Sequence, residues 1–357
     1  MTTNDSKSDT MDAVVIPEPG HVEVRRIAKP RPGAFEALVR IETCGLCGTT
    51  DRHIVEGTQA HHPKDQYPAV LGHESVGTVV EVGERVTSFK PGDRVTRAAS
   101  IFPGEQRDDV YSAWGGFAEY GLVRDVTALV ASGREDLRDD WVGSRQIIAP
   151  EGLDPLDAAL AISLSEIASW TWKLGALGAQ SMVIGGTGLA GCAMCVFARL
   201  AGATPIIAMG RRDDRLELMR QLGADETINS REQDVPEAVR ALTHGVGAAW
   251  FAEATGVDEV FVTGLRCLAP GGTAAIYGAP VGYRYTLAMK GAPGDFAVRL
   301  VCPEEHRSYA RVCSLLMSGA IDATLFRTHV WDGLDQLPTA LEQQAAGAVV
   351  KGFVRIG

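Results

Sequence analysis

Three groups of residues carry the chemistry this chain can do. Cys44-Gly-Leu-Cys-Gly-Thr-Thr-Asp-Arg-His53 and Leu71-Gly-His-Glu74 bring thiol, imidazole and carboxylate groups together in two polar loops. Zinc takes such donors in a tetrahedral array, and three protein ligands leave a fourth position open for catalysis. Cys47, His73 and Glu74 are therefore expected to supply one metal site. The second group is Ser181-Met-Val-Ile-Gly-Gly-Thr-Gly-Leu-Ala-Gly191, a G-x-G-x-x-G between a strand-like and a helix-like run. Gly186 permits the tight turn, Gly188 lets the backbone approach a pyrophosphate, and Gly191 allows close helix–strand packing. Thr187, Leu189 and Ala190 complete a helix start whose free N–H groups face the anion. The third group follows the next apolar run, where an NAD site would place an acid. Here the run ends in Gly210-Arg211-Arg212. Asp213 and Asp214 come after it, at a helix start, where acids are ordinary caps. Gly210 opens space, and two guanidiniums can hold a 2′-phosphate through paired charge-assisted bonds. NADP(H) is expected over NAD(H).

The elements that must hold these groups divide the chain in two. Residues 13–43 and 69–97 alternate apolar and polar in short bursts broken by Pro and Gly, the pattern of strands and tight turns. Near residue 155 the pattern changes. A helical run over 153–177 is followed by a strand at 181–186, a helix at 189–202, a strand at 204–210 and a helix at 213–224. A strand at 248–256, a helix near 259–268 and a strand at 272–280 continue the alternation, which predicts a parallel sheet covered on both faces. Helical stretches at 305–318 and 333–346 and the short strand KGFVRI close the chain. The expected division is 1–155 for a β-rich domain, 156–302 for a nucleotide-binding domain, and 303–357 for a return to the first.

Bulk composition narrows the classes. The chain holds 40 glycines in 357 residues, above the usual share of about 7%, as expected where the backbone turns tightly or approaches a ligand. A net charge of -11 argues against a nucleic-acid binder. The polar first residues carry no apolar signal-peptide core, and the apolar stretches are too short to span a bilayer, so a cytoplasmic protein with no membrane association is expected. Seven cysteines are an odd number and no disulfide scaffold. Cys192 and Cys195 lie in an apolar helical run and read as packing.

GLCGTTD, LGHE, the PGDRV of 91–95, GGFAEY and GTGLAG, in this order, resemble the medium-chain, zinc-dependent alcohol dehydrogenase superfamily, over essentially the whole chain. The segments 210–231, EATG (253–256) and 268–280 look most like its glucose dehydrogenase branch, which uses NADP with or beside NAD. The resemblance implies a GroES-like β-rich catalytic domain with a Rossmann doubly wound parallel sheet. It makes Cys47 and His73 zinc ligands, with Glu74 ligating or adjacent. Thr49 would relay the substrate proton toward His53, Glu119 would face the substrate, and Thr255, Gly278 and Lys351 would join the cofactor side. Three departures qualify it. Cys47-Gly-Thr-Thr-Asp51 is one residue longer than the family's run, so the relay passes through Thr49 or Thr50. Ile162 stands where the family's fourth ligand, a glutamate, belongs, with Glu166 one turn further on. No cysteines follow PGDRV to build a structural zinc lobe, leaving one catalytic Zn2+ and Cys44 as a packing thiol. The implied reaction interconverts a small-molecule hydroxyl, a secondary alcohol or polyol, and its carbonyl with NADP(H), in a homodimer or homotetramer. A zinc-independent NADPH enone or quinone reductase is the alternative within the superfamily, and a non-catalytic nucleotide-binding protein is the alternative outside enzymes.

Overall fold

The structure, a computed structural model, describes residues 9–59, 62–175, 177–280 and 284–357. The polar stretch before residue 9 and residue 176 of the expected helical run lie outside these. The chain forms two compact units. One comprises the described residues up to Ser163 together with Tyr309–Gly357, and the other is Leu164–Ser308. No helix among the described residues is long and apolar enough to cross a membrane.

The first unit is built on two sheets. One orders Glu23–Ala28, Thr10–Ile16, Ala69–Val70, Val110–Ser112 and Gln106–Arg107. The other orders Arg327–Asp332, Lys351–Arg355, Glu36–Leu46, Glu74–Val82 and Arg94–Thr96, with Tyr120–Arg124 also paired to Glu36–Leu46. The end of the chain thus supplies two strands beside the long third one. Arg327–Asp332 was not foreseen, because its outward residues alternate with only half-buried ones and give no strong apolar run. Val14, Ile16, Leu46, Phe117, Leu337 and Val354 meet in one buried cluster that ties both sheets to the helix Leu337–Ala345. Removing a side chain of this kind from water contributes about 1.5–3 kcal/mol. This cluster is the floor on which the metal-type side chains stand.

The second unit is a six-stranded sheet, all parallel, in the order Glu226–Asn229, Ile206–Gly210, Met182–Gly185, Ala248–Glu253, Leu268–Ile276, Phe296–Leu300. Numbered within the unit, that order is 3-2-1-4-5-6, the doubly wound arrangement that binds dinucleotides where the order reverses. Met182–Gly185 is buried along its whole length, as a central parallel strand requires. The helix Leu189–Leu200 packs through Gly191, Cys192, Ala193, Cys195 and Ala198, small residues that let its backbone come close to the sheet. Two strands of this sheet, Glu226–Asn229 and Phe296–Leu300, escaped the sequence reading. The first has four residues, and the second is an edge strand that leaves most of its side chains in solvent.

Candidate functional site

Strand register assembles the polar centre of the first unit. Gly45 pairs with Glu74, and Leu46 pairs with Gly352, the neighbour of Lys351. Three strands therefore deliver Cys47, Glu74 and Lys351 to one place. Gly45 makes the approach possible, since a Cβ there would lie 2.5 Å from Glu74 Oε2 and 3.2 Å from Lys351 Cε. His73 precedes Glu74, and donor atoms of Cys47, His73 and Glu74 all lie within 4.8 Å of one another. Thiolate, imidazole and carboxylate at that spacing are a donor set suited to zinc.

Asp51, which the sequence reading passed over, organises this set. Its fully buried carboxylate accepts the backbone N–H of Cys47 at 2.8 Å and the Nδ1–H of His73 at 3.1 Å. The bond fixes the tautomer of His73 and turns Nε2 toward Glu74, whose Oε1 is 3.9 Å away. The signal was the extra threonine: with it, Asp51 sits in the first turn of the helix Thr50–Val55 and reaches back to the loop. Arg97 holds the loop from the other side, its Nη1 donating to the carbonyl of His73 at 2.6 Å.

Charge in the site is tuned by neighbours. Burial works against the Cys47 thiolate, yet a hydrogen bond and the charge of His73 hold the thiol below its ordinary range. Burial works against the His73 imidazolium, but the Asp51 carboxylate, with Cys47, carries its pKa well above the ordinary imidazole value. For Glu74, burial is outweighed by the Lys351 ammonium, then by His73 and Arg97, and the carboxyl stays below its ordinary range. Cys44 shows the contrast: burial and the nearby Asp51 charge push its thiol far up, and it is wholly buried as packing.

Lys351 requires a correction. Its Nζ bonds Glu74 Oε2 and donates to the carbonyl of Leu46 at 3.0 Å, and the side chain is 1% exposed. An ammonium so enclosed neutralises Glu74 rather than meeting a pyrophosphate. Glu119 Oε2 accepts the backbone N–H of Asp12 at 2.8 Å, which ties this carboxylate to the strand Thr10–Ile16. Ile162 is buried core, and the following residue reaches the site instead: Ser163 Oγ donates to Glu74 Oε1 at 2.9 Å. Glu166 accepts from Tyr277 Oη at 3.1 Å. Thr49 is exposed, Thr50 opens the short helix with its N–H 3.4 Å from Cys47 Sγ, and His53 is buried beside Arg52. Burial and then the Arg52 charge lower the His53 pKa, so this ring is neutral at pH 7. Among the described residues no hydrogen bond joins the Thr49 hydroxyl to the His53 imidazole.

In the second unit the glycine turn has the form its spacing predicts. Gly186 takes φ +119°, and a Cβ on Gly191 would lie 1.9 Å from the Gly186 carbonyl oxygen. Gly188 faces open space at the start of Leu189–Leu200, where the first N–H groups have no acceptor within the helix. A cavity of ≈ 670 Å³ opens beside this turn, lined by Thr187, Gly210, Arg211, Ser230, Arg231 and Thr255 among others. Arg212 is not among its lining residues and pairs with Asp214 at 2.6 Å, an exposed contact. Arg231, hidden in the sequence behind an unrecognised strand, takes its place in the lining. Gly210 also serves contact inside the protein, since a Cβ there would meet Thr187 Cγ2 at 2.5 Å. Gly278 packs on the 255–256 backbone, and Thr255 is held by its N–H to Glu253 at 2.7 Å.

A parallel nucleotide-type sheet and a thiolate–imidazole–carboxylate cluster in one chain define a dehydrogenase of the zinc type. Residues 33–132 match the alcohol dehydrogenase GroES-like domain, and residues 189–290 match the zinc-binding dehydrogenase family. The chain is 31% identical to an alcohol dehydrogenase of Cupriavidus necator, over 93% of this chain and 94% of that protein. It is 28% identical to an L-threonine 3-dehydrogenase of Pyrococcus horikoshii, over 96% and 98%. A putative zinc-binding dehydrogenase from Sinorhizobium meliloti, solved bound to NADP, superimposes with a TM-score of 0.78 at 28% identity, covering 98% of this chain and all of that one (100%). The chain belongs to the medium-chain, zinc-dependent alcohol dehydrogenase superfamily.

Proposed function

We propose that the protein is a cytoplasmic, homo-oligomeric NADP-dependent dehydrogenase that interconverts a secondary alcohol or polyol hydroxyl and its carbonyl at a single zinc site. The observation that carries this reading is the Cys47–His73–Glu74 cluster with Asp51 behind His73, because a metal-ligating histidine needs its other nitrogen anchored. Cys47 Sγ, His73 Nε2 and Glu74 Oε1 would hold the ion, and Ser163 and Lys351 keep the Glu74 carboxylate oriented and ionised. Zinc, when bound, supplies Lewis-acid polarisation of the substrate oxygen. Thr49 or Thr50 would accept the substrate hydroxyl proton while passing on its own, and neutral His53 is the candidate final acceptor, reached through a bridging hydroxyl or water rather than directly. The glycine turn holds the pyrophosphate, while Arg211, Ser230 and Arg231 receive the 2′-phosphate, the group that separates NADP from NAD.

The cofactor assignment predicts a selective defect. Arg211→Ala with Arg231→Ala should raise the Michaelis constant for NADP+ by about 10²-fold, two charge-assisted contacts at about 1.5 kcal/mol each, and change that for NAD+ little. Equal effects on both cofactors in steady-state assays would contradict it. The zinc-independent reductase remains the second reading because Ile162 leaves the helix Pro155–Lys173 without a ligand at the expected place. Turnover of an enone that survives Cys47→Ala would favour it.

A further inference from the structure

The parallel sheet of the second unit has two halves, and the glycine turn at Gly186 serves only the first. A doubly wound sheet takes one nucleotide of a dinucleotide on each half, at the carboxyl ends of the strands. The second half here is Ala248–Glu253, Leu268–Ile276 and Phe296–Leu300. With the adenosine end beside Gly186 and Arg211, the loops that follow Glu253 and Ile276 are the ones offered to the nicotinamide end.

Glu253 holds both loops. Its backbone carbonyl accepts the N–H groups of Tyr277 at 3.0 Å and Gly278 at 3.1 Å. Its side chain is fully buried, and Oε1 accepts the N–H of Thr255 at 2.7 Å and of Gly256 at 3.1 Å, together with the Thr255 hydroxyl. The fit is tight, since a Cβ on Gly278 would lie 2.3 Å from Glu253 Oε2. A buried carboxylate needs its donors, and one of them comes from outside the two loops. Tyr285 Oη donates to Glu253 Oε2 and lies 3.1 Å from the Gly278 carbonyl oxygen, so one hydroxyl bridges the carboxylate under one loop and the backbone of the other. Tyr285 is itself anchored: its ring packs on Phe261 at 4.9 Å, and the next N–H, of Thr286, donates to Asp258 Oδ1 at 3.2 Å. Burial, then the hydrogen bond and charge of Glu253, push the Tyr285 pKa well above the ordinary phenol range, so the hydroxyl keeps its proton.

We infer that Tyr285 is a positioning residue for the nicotinamide half of the cofactor, acting through Glu253 and Gly278 to keep Thr255–Gly256 and Tyr277–Gly278 in the shape that half requires. The inference rests on the NADP reading. Without the hydroxyl, Glu253 Oε2 loses the donor that links it to the second loop, and the two loops are free to part. The share of molecules with the binding shape then falls, and the apparent affinity for the whole dinucleotide falls with it. The adenosine half sits on the Gly186 turn and on Arg211, which Tyr285 does not touch.

The test is equilibrium binding to the full chain, in wild type and Tyr285→Phe. NADPH is titrated by its fluorescence, and 2′,5′-ADP, which carries the adenosine half and its 2′-phosphate alone, by displacing NADPH. The phenylalanine keeps a ring against Phe261 and removes only the hydroxyl. It should weaken NADPH by about tenfold or more, the loss of one hydrogen bond to a charged group, and leave 2′,5′-ADP within about twofold of wild type. The second ligand also reports folding, because a variant with a disturbed sheet would lose both. Unchanged NADPH affinity, or equal losses for the two ligands, would overturn the inference while leaving the NADP reading intact. A wild type that binds neither ligand would overturn both.

Discussion

Lys351→Met is expected to destabilise the zinc-free protein by about 3–5 kcal/mol, the loss typical when one partner of a buried ion pair is removed. Glu74 would keep its buried carboxylate with Ser163 as a remaining donor and lose the ammonium bonded to it, leaving only the more distant charges of His73 and Arg97. In the unit that carries the pair, this corresponds to a fall of roughly 6–20 °C in unfolding midpoint. Adding Glu74→Gln to Lys351→Met should recover most of the loss, because a neutral amide needs no counter-charge. Thermal unfolding of the two variants and wild type, after chelation, measures the effect. A Lys351→Met midpoint within about 2 °C of wild type would show that the pair is held by something other than its mutual charge.

Cys47→Ala removes the one soft donor from the cluster. Histidine and carboxylate remain, too few protein ligands for tight zinc binding, so the variant should be isolated without metal. Lewis-acid polarisation is worth several kcal/mol, and kcat/KM for an alcohol should fall by about 10³-fold or more. The same cluster sets a pH dependence for zinc uptake. A metal ligand must be deprotonated, and His73 has a raised pKa because Asp51 and Cys47 stabilise its charged form. Apparent zinc affinity should therefore be full at high pH and weaken as pH falls through that raised value, above the 6.5 of an ordinary imidazole. Asp51→Asn withdraws the main cause and should shift the loss to lower pH. Competition titrations with a chelator across pH 6–9 would reveal either behaviour.

The sequence was most legible where one local pattern serves one local purpose. The glycine turn could be read because its three glycines stand between a buried strand and a small-residue helix, all within eleven residues. The doubly wound sheet was legible for the same reason, through repeated strand–helix alternation. Cys47, His73 and Glu74 were visible by residue type and lie together in the fold. Their supports were not, because they depend on pairing across the chain. Asp51 reaches His73 over 22 positions, Ser163 reaches Glu74 over 89, and Lys351 reaches Glu74 over 277. Lys351 stood out as a basic residue, but its partner follows from strand register, which places Gly352 opposite Leu46 and Gly45 opposite Glu74. Arg231 was missed because the strand before it has four residues and no apolar run.

Whether one catalytic zinc is held by Cys47, His73 and Glu74 can be read from metal analysis of the protein purified without added metal, beside Cys47→Ala prepared identically. The wild type should carry one zinc per chain and the variant none. A wild type without zinc that still turns over an NADP-linked substrate, or a Cys47→Ala variant that keeps its zinc, would contradict it.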